Sequence, residues 1–412
     1  MGDLKRGALD VLLVTSVFPV PSEAFATVEA NALRSAGVHL RVRGMRAPHA
    51  LRDKLLRGNG LENVDVTHAS FAAYLRGLGF MLRHPWMTLR AAAWTVRHGW
   101  RTPGLTLRCM LLFPRLLDIF RECMRHPPDV LHLYWGHYPS VVGYLAKRYL
   151  PEVHLSVCLY AFDLIYAFGP GLVLSEEADT LWTLAECNVQ QIRDLGVRNP
   201  RLLVQFHGVD LSEVPDAGRL VDKRRGKVVT IARLVKNKGV DDSLRVFAAA
   251  LARHPDMRLS IIGEGEERAA LEQLARELKV DHAVNFMGAQ VHSVVYDELA
   301  AADVMLLMTK NPSERLPNAV KEAMACRCIC VMAASPGIEE LTGALENQCI
   351  VAMGDCETAA KHLLDVMENP GRFERDRNEG RDFVLGAFDA LTIARRRIEI
   401  WNERRSAATT GN

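Results

Sequence analysis

Between residues 71 and 117 the chain has no aspartate and no glutamate, although the 412-residue sequence holds 49 acidic residues against 51 basic ones. That near balance, a net charge of +2, gives no global argument for nucleic acid as a partner. Apolar runs such as VLLVTSVFPV fall short of the ~20 residues that span a bilayer. The start, MGDLKRGALD, enters a strand-like segment with no signal-peptide core, so a cytoplasmic protein is expected. The nine cysteines lack paired zinc spacing. Cys326, Cys328 and Cys330 would share one face of a strand and read as packed core thiols. No D-x-D pair is available to hold a divalent ion, and GEGEER (263–268) lacks the third glycine of a dinucleotide fingerprint.

The sequence does contain a repeated alternation of strand and helix. DVLLVTS (10–16), HLRVRGM, DVLHLYW (129–135), VHLSVCLY (153–160), TLWTLA (180–185) and RLLVQF (201–206) read as strands separated by helical stretches. Residues 210–227 are polar, charged and carry Pro and Gly, the composition of a linker. The alternation then restarts with VVTIA (228–232), RLSIIG (258–263), AVNFMG (283–288), DVMLLMT (303–309), CICVMA (328–333) and CIVAM (349–353). Such alternation predicts parallel sheets covered on both faces, hence an α/β protein of two doubly wound, Rossmann-like domains facing a cleft. The expected division is residues 1–209, a linker 210–227, a second domain 228–386, and a terminal helical segment 387–412.

Residues 71–125 break the pattern as a helical, basic insertion. Arg76, Arg83, Arg90 and Arg97 recur every seven residues and would share a stripe on a helix whose other faces carry Trp86, Trp94, Leu and Phe. Two readings stand. The stripe could meet an anionic membrane surface through 71–117, or it could be the solvated edge of a helical layer packed on its own domain.

The stretch SERLPNAVKEAM (313–324) carries the most chemistry. Pro317 is favoured in the first turn of a helix, which puts Glu314 in the entering loop and Glu322 about one and a half turns inside. The free N–H groups of that helix start suit an anion, and two carboxylates around an anion site suggest a ligand carrying phosphates and hydroxyls. ARLVKNKG (232–239) follows a strand and offers Arg233 and Lys238 in a loop, cations able to hold a diphosphate and neutralise it as it leaves.

Together ARLVKNKG, IIGEGEE, VNFMG and ERLPNAVKE resemble the nucleotide-binding half of retaining glycosyltransferase family 4, of the GT-B fold. LLVTSVFPVPSEAF with Glu29, and HGVD (207–210), resemble the same family, most closely members that extend bacterial exopolysaccharides and lipid-linked glycans. The resemblance implies transfer of a sugar from a nucleoside-diphosphate-sugar donor, such as a UDP-sugar, to a glycan, lipid-linked or small-molecule acceptor. It implies retention at the anomeric carbon, no metal or other cofactor, and no nucleic acid partner. Arg233 and Lys238 would grip the diphosphate, Glu322 would accept from ribose hydroxyls, and Glu314 would meet hydroxyls of the transferred sugar. The Leu316–Asn318 amides, with Pro317 and Arg315 beside them, would cap sugar or phosphate oxygens. Gly263 would line the donor site, with the base near Met287 and Gly288. Ser22, Glu23, His132, His137 and Asp163 would lie on the acceptor side, and the terminal helix would return to the first domain. Three positions depart from the family pattern: Tyr160 stands in the place of a sugar-contacting histidine, and Arg315 and Arg327 replace small residues. Tyrosine can donate a hydrogen bond but carries no positive charge at neutral pH. The first two substitutions motivate an alternative reading, a non-catalytic sugar-nucleotide-binding partner subunit.

Overall fold

Short apolar runs flanked by polar turns form parallel strands throughout this protein. The structure, a computed structural model, describes residues 8–212, 214–215, 226–343 and 345–410, excepting the side chains of residues 22, 404 and 406–410. Seven strands build a first sheet: β1 (Asp10–Thr15), β2 (His39–Gly44), β3 (Asp65–Thr67), β4 (Val130–Leu133), β5 (His154–Cys158), β6 (Thr180–Thr183) and β7 (Leu202–Val204). Six build a second: β8 (Lys227–Ile231), β9 (Arg258–Ile262), β10 (Val284–Gly288), β11 (Val304–Leu307), β12 (Ile329–Ala333) and β13 (Ile350–Val351).

The spatial orders are β3-β2-β1-β4-β5-β6-β7 and β10-β9-β8-β11-β12-β13, all in parallel pairs. In each sheet the order reverses beside the first strand, where β1 pairs with β4 and β8 with β11. At such a switch point the loops leaving the carboxyl ends diverge and open a crevice. Central strands are largely apolar because helices cover both faces; Val11, Leu12, Leu13 and Val14 are all fully buried. β3 is not foreshadowed in the sequence, since three residues with one buried valine give no periodicity to read.

The chain up to Gly208, together with the segment from Ala390, forms one compact unit, and Val209–Asp389 forms another. The terminal helix Ala390–Thr410 thus belongs to the first unit, and residues 387–389 fall in the second. Within the second unit Val209 pairs in parallel with Asp389, its N–H bonded to the Phe388 carbonyl at 2.9 Å. Much of the expected linker, residues 213 and 216–225, lies outside the described residues.

The insertion consists of three helices, Phe71–Arg83, Pro85–Gly99 and Pro103–Arg125. Pro85 starts the second helix, so the seven-residue arginine repeat does not run along one continuous helix, contrary to the sequence reading. Arg76 leaves the basic stripe as well: it binds Asp118 at 3.0 Å, beside Arg115, which also binds Asp118 at 3.0 Å and donates to the Gly44 carbonyl. The first and third helices approach closely at Gly77, where a Cβ would lie 1.8 Å from the Pro114 carbonyl oxygen. The three cysteines 326, 328 and 330 are buried as expected, but only Cys330 lies within a strand; Cys326 ends the helix Asn318–Ala325.

Candidate functional site

In the second unit, the loops that follow β8, β9, β10 and β11 interlock at the carboxyl ends of the strands. The Leu234 N–H donates to the Glu264 carbonyl, Gly263 N–H to the Gly288 carbonyl, and Lys310 N–H to the Asn237 carbonyl. Gly239 is required here: its φ is +64° and a Cβ would stand 1.7 Å from the Met308 carbonyl oxygen. That close approach presses the lysine-bearing turn Lys236–Lys238 against the loop after β11.

The same approach brings together two residues that the sequence separates by 76 positions. Lys238 Nζ lies 2.5 Å from Glu314 Oε1, and Thr309 Oγ1 donates to Glu314 Oε2 at 2.7 Å. Both partners are largely buried, so the charge-assisted bond works in a reduced dielectric. The carboxylate expected to meet sugar hydroxyls and the ammonium expected to hold a diphosphate thus form one pre-set element at the switch point. Arg233, on the same loop as Lys238, is exposed and makes no ion pair among the described residues.

The loop from Asn311 then folds on itself. Asn311 Oδ1 accepts from Ser313 N and Oγ, and Arg315 donates to the Pro312 and Glu314 carbonyls, which commits part of its guanidinium to stitching the turn. Leu316 is buried with φ +44°, a left-handed conformation unusual for a branched side chain. It turns the chain into the helix Asn318–Ala325. Pro317 occupies the N-cap rather than the first helical position expected from the sequence, and it offers no N–H, so the donors of this helix start are on Asn318 and Ala319, with the Leu316 N–H just ahead of the cap.

Glu322 follows on that helix, half-buried, and accepts no side-chain hydrogen bond among the described residues. Burial raises its pKa, while His292 and Lys321 pull the other way. His292 opens the helix His292–Ala301 and was not singled out from the sequence, where a lone histidine after a strand carries no signal. Lys321 points inward: it is buried, its Nζ donates to Asn318 Oδ1 at 3.0 Å and lies 4.9 Å from the Phe388 ring, and burial lowers its pKa to about 7. Where the sequence reading expects the base, the pairing of β10 with β9 shifts between Phe286 and Gly288, so Met287 bulges from the ladder. Its carbonyl accepts from the Gln290 side chain at 2.5 Å, and the Gly288 carbonyl from Gly263.

In the first unit, Ser16 follows β1, His137 follows β4 and Asp163 follows β5, all at carboxyl ends. Ser16 Oγ is 3.3 Å from His137 Nε2, and His137 Nδ1 is 3.1 Å from Asp163 Oδ1. Asp163 Oδ2 also accepts the Tyr160 N–H at 3.1 Å, which fixes the start of the helix Ala161–Tyr166. His137 and Asp163 were read separately from the sequence; Ser16, their third partner, was missed. The side chain of Ser22 lies outside the described residues. Glu23 is half-buried, one carboxyl oxygen has no partner among the described residues, and burial raises its pKa to about 7.

His132 requires a correction. It is fully buried inside β4, its Nδ1 3.0 Å from Ser156 Oγ and its Nε2 3.4 Å from an Arg397 nitrogen, so it presents nothing to an acceptor. It belongs to a lock that holds the terminal helix to the first sheet. There Arg397 pairs with Glu29 and donates to Gln205 Oε1 at 2.6 Å, and Tyr134 donates to Glu29 at 3.2 Å. Burial alone would raise the Glu29 carboxyl, but Arg397, His132 and His207 bring it down to about 2. Tyr160 borders this lock, 97% buried, with its ring 4.7 Å from His207 and its hydroxyl unpartnered among the described residues. Burial raises its phenol pKa well above the ordinary value. Arg327 is held at φ +61° just past the helix end, the conformation that explains why a glycine is usual there.

Residues 216–383 match the family model described as Glycosyl transferases group 1. The lipopolysaccharide core biosynthesis glycosyltransferase LpsE of Rhizobium meliloti is 27% identical over 272 residues, 62% of this chain and 78% of that protein. The N-acetyl-alpha-D-glucosaminyl L-malate synthase of Bacillus anthracis is 24% identical over 280 residues, 64% of this chain and 72% of its own length. Among solved structures, Anabaena HepE in complex with UDP superposes with a TM-score of 0.71 at 16% identity, covering 95% of this chain and 99% of that one.

Proposed function

We propose, from the premise that this chain carries a glycosyl transferases group 1 domain on a GT-B fold, that it transfers a sugar from a nucleoside diphosphate to an acceptor hydroxyl with retention of configuration. The observation that carries the reading is the Lys238–Glu314 element at the β8/β11 switch point, with Glu322 half-buried on the helix that follows, its carboxylate accepting no hydrogen bond among the described residues.

In this reading Arg233 and Lys238 take the diphosphate, the Leu316 and Asn318 N–H groups approach its outer oxygens, and Glu322 accepts from the ribose. Glu314, already bonded to Lys238 and Thr309, directs its remaining acceptor capacity at a sugar hydroxyl. The bond from the anomeric carbon to phosphate oxygen breaks, and the bond to the acceptor oxygen forms on the same face. The acceptor proton passes to the departing diphosphate, whose new charge the two cations stabilise. With that charge met by side chains, no metal is needed. HepE is described with UDP, so a UDP-sugar is the first donor to try. In this reading Glu23 and His137, the latter braced by Asp163, hold the acceptor hydroxyl, and a glycan or lipid-linked acceptor is the class proposed.

Incubation with UDP-glucose and related donors, with proton NMR of the product, tests this. The expected product has the donor's anomeric configuration, and release of UDP persists in excess EDTA. Inversion, or abolition of turnover by the chelator, would contradict the reading.

A further inference from the structure

The three helices of the insertion are amphipathic in an unusual sense: each is apolar on both its inner and its outer face. The inner faces supply the core, with Phe80, Trp94 and Phe113 buried. On the outer face of Phe71–Arg83, the side chains of Phe71, Leu75, Leu78 and Leu82 are exposed, at spacings of four, three and four that align them on one side. Leu82 is 83% exposed. Trp86, Leu89 and Val96 repeat the arrangement on Pro85–Gly99, with Trp100 at its end, and Leu107 and Leu111 continue it on Pro103–Arg125. Single exposed apolar residues are ordinary, but aligned stripes on neighbouring helices mark a surface that something covers.

The charge around the stripes identifies what covers it. Arg83, Arg90, Arg97, Arg101 and Arg108 are all exposed, and none makes an ion pair among the described residues. Arg101 lies over the Trp100 ring at 5.2 Å. Residues 71–117 contain no acidic residue to oppose them. Apolar stripes with tryptophans, flanked by unpaired arginines, match the boundary of an anionic lipid bilayer, where rings and leucines enter the acyl edge and guanidiniums meet headgroup phosphates. Among the described residues, no helix is long and apolar enough to cross a membrane, so the contact is with the interface only.

The same character continues toward the acceptor cluster. Phe162, Ile165 and Tyr166 are exposed on the helix beside His137, and Phe162 sits 5.5 Å from the His137 ring. A few residues further, Gly169 abuts the His98 carbonyl of the second insertion helix, where a Cβ would come within 2.0 Å.

We infer that the layer formed by residues 71–111 docks the first unit onto an anionic membrane surface and so presents His137 to an acceptor carried in that membrane. The docking stands on the exposed stripes alone; the lipid-borne acceptor rests on the transferase reading above.

Cosedimentation with vesicles of 30% phosphatidylglycerol in phosphatidylcholine tests the docking without any enzymatic readout. The protein should pellet with them in low salt, stay in solution with pure phosphatidylcholine, and be released as salt screens the attraction. Arg83→Gln, Arg90→Gln and Arg97→Gln together should lower partitioning by about a hundredfold, at about fivefold per arginine. Leu82→Ser with Trp86→Ser and Leu107→Ser should also abolish it. These residues lie outside the core, and an unchanged circular dichroism spectrum confirms that the variants fold. No pelleting with anionic vesicles in low salt would overturn the inference. So would a lipid-free dimer that the serine variant dissolves, since the face would then belong to a second copy. Docking that persists while no nucleoside-diphosphate sugar is turned over would reject the transferase reading and leave the surface standing.

Discussion

Replacing Arg397 by methionine removes the buried guanidinium, whose central carbon lies 4.8 Å from the Trp182 ring, while keeping a linear apolar side chain. What remains is a buried Glu29 carboxylate that has lost its cation and a Gln205 oxygen that has lost its donor. Two routes give the magnitude. Breaking a buried ion pair by deleting one partner costs about 3–5 kcal/mol. Independently, the lowering of Glu29 from 4.5 to about 2 converts to about 3 kcal/mol at 1.36 kcal/mol per pH unit. Because the folded-state value lies below the unfolded one, this stability is fully present above pH 4.5 and is lost as the pH falls toward 2. Urea unfolding at pH 7 of wild type, Arg397→Met, Glu29→Gln and the double variant forms the cycle. Arg397→Met should lose about 3 kcal/mol, and the double variant should lose markedly less than the sum of the singles. Additivity within about 0.5 kcal/mol would refute the lock, since residues that do not interact behave that way.

Lys321 gives a pH dependence of the same sign in a higher window. Its pKa falls from 10.5 to about 7 on burial, so the unfolded chain binds more protons between those values and wild-type stability should rise with pH across that window. Lys321→Met should be more stable than wild type near pH 6, by at most about 5 kcal/mol at 1.36 kcal/mol per pH unit, and the gap should close by pH 10 in denaturation series. In the acceptor cluster, His137→Ala should lower kcat/KM for the acceptor about a hundredfold, the scale of a lost positioning contact at the reacting hydroxyl, while leaving the dissociation constant of the nucleoside diphosphate unchanged. A matching loss of nucleotide affinity, read by calorimetry, would reassign His137 to the donor.

What could be read from the sequence was the part governed by local periodicity. β1, β4 and β5 announce themselves because a strand buried on both faces is largely apolar, even with His132 and Ser156 inside two of them, and Pro317 marks a helix start because its ring fits only near one. The site was legible in composition but not in contact: nothing in the order of residues states that Lys238 and Glu314 touch, since a glycine turn at 239 decides it. The Glu29–Arg397 pair spans 368 residues and leaves no local trace at either end. His132 was misread because a strand-end histidine near an aromatic run looks the same whether it faces solvent or a buried arginine. The arginine repeat misled for a different reason. A period of seven implies one stripe only while the helix continues, and Pro85 ends that continuity after Arg83.

The central claim is that the helix start at Pro317, with Lys238, Glu314 and Glu322 around it, holds a nucleoside diphosphate. Thermal unfolding with UDP, GDP, ADP, TDP and CDP, each at about a hundred times its dissociation constant, tests it most directly. One of the five should stabilise the second unit by about 2.7 kcal/mol, a rise in Tm of about 5–10 °C, and Glu322→Ala should abolish the rise. If no diphosphate moves the transition, or if Glu322→Ala leaves the rise intact, the site is not the one described.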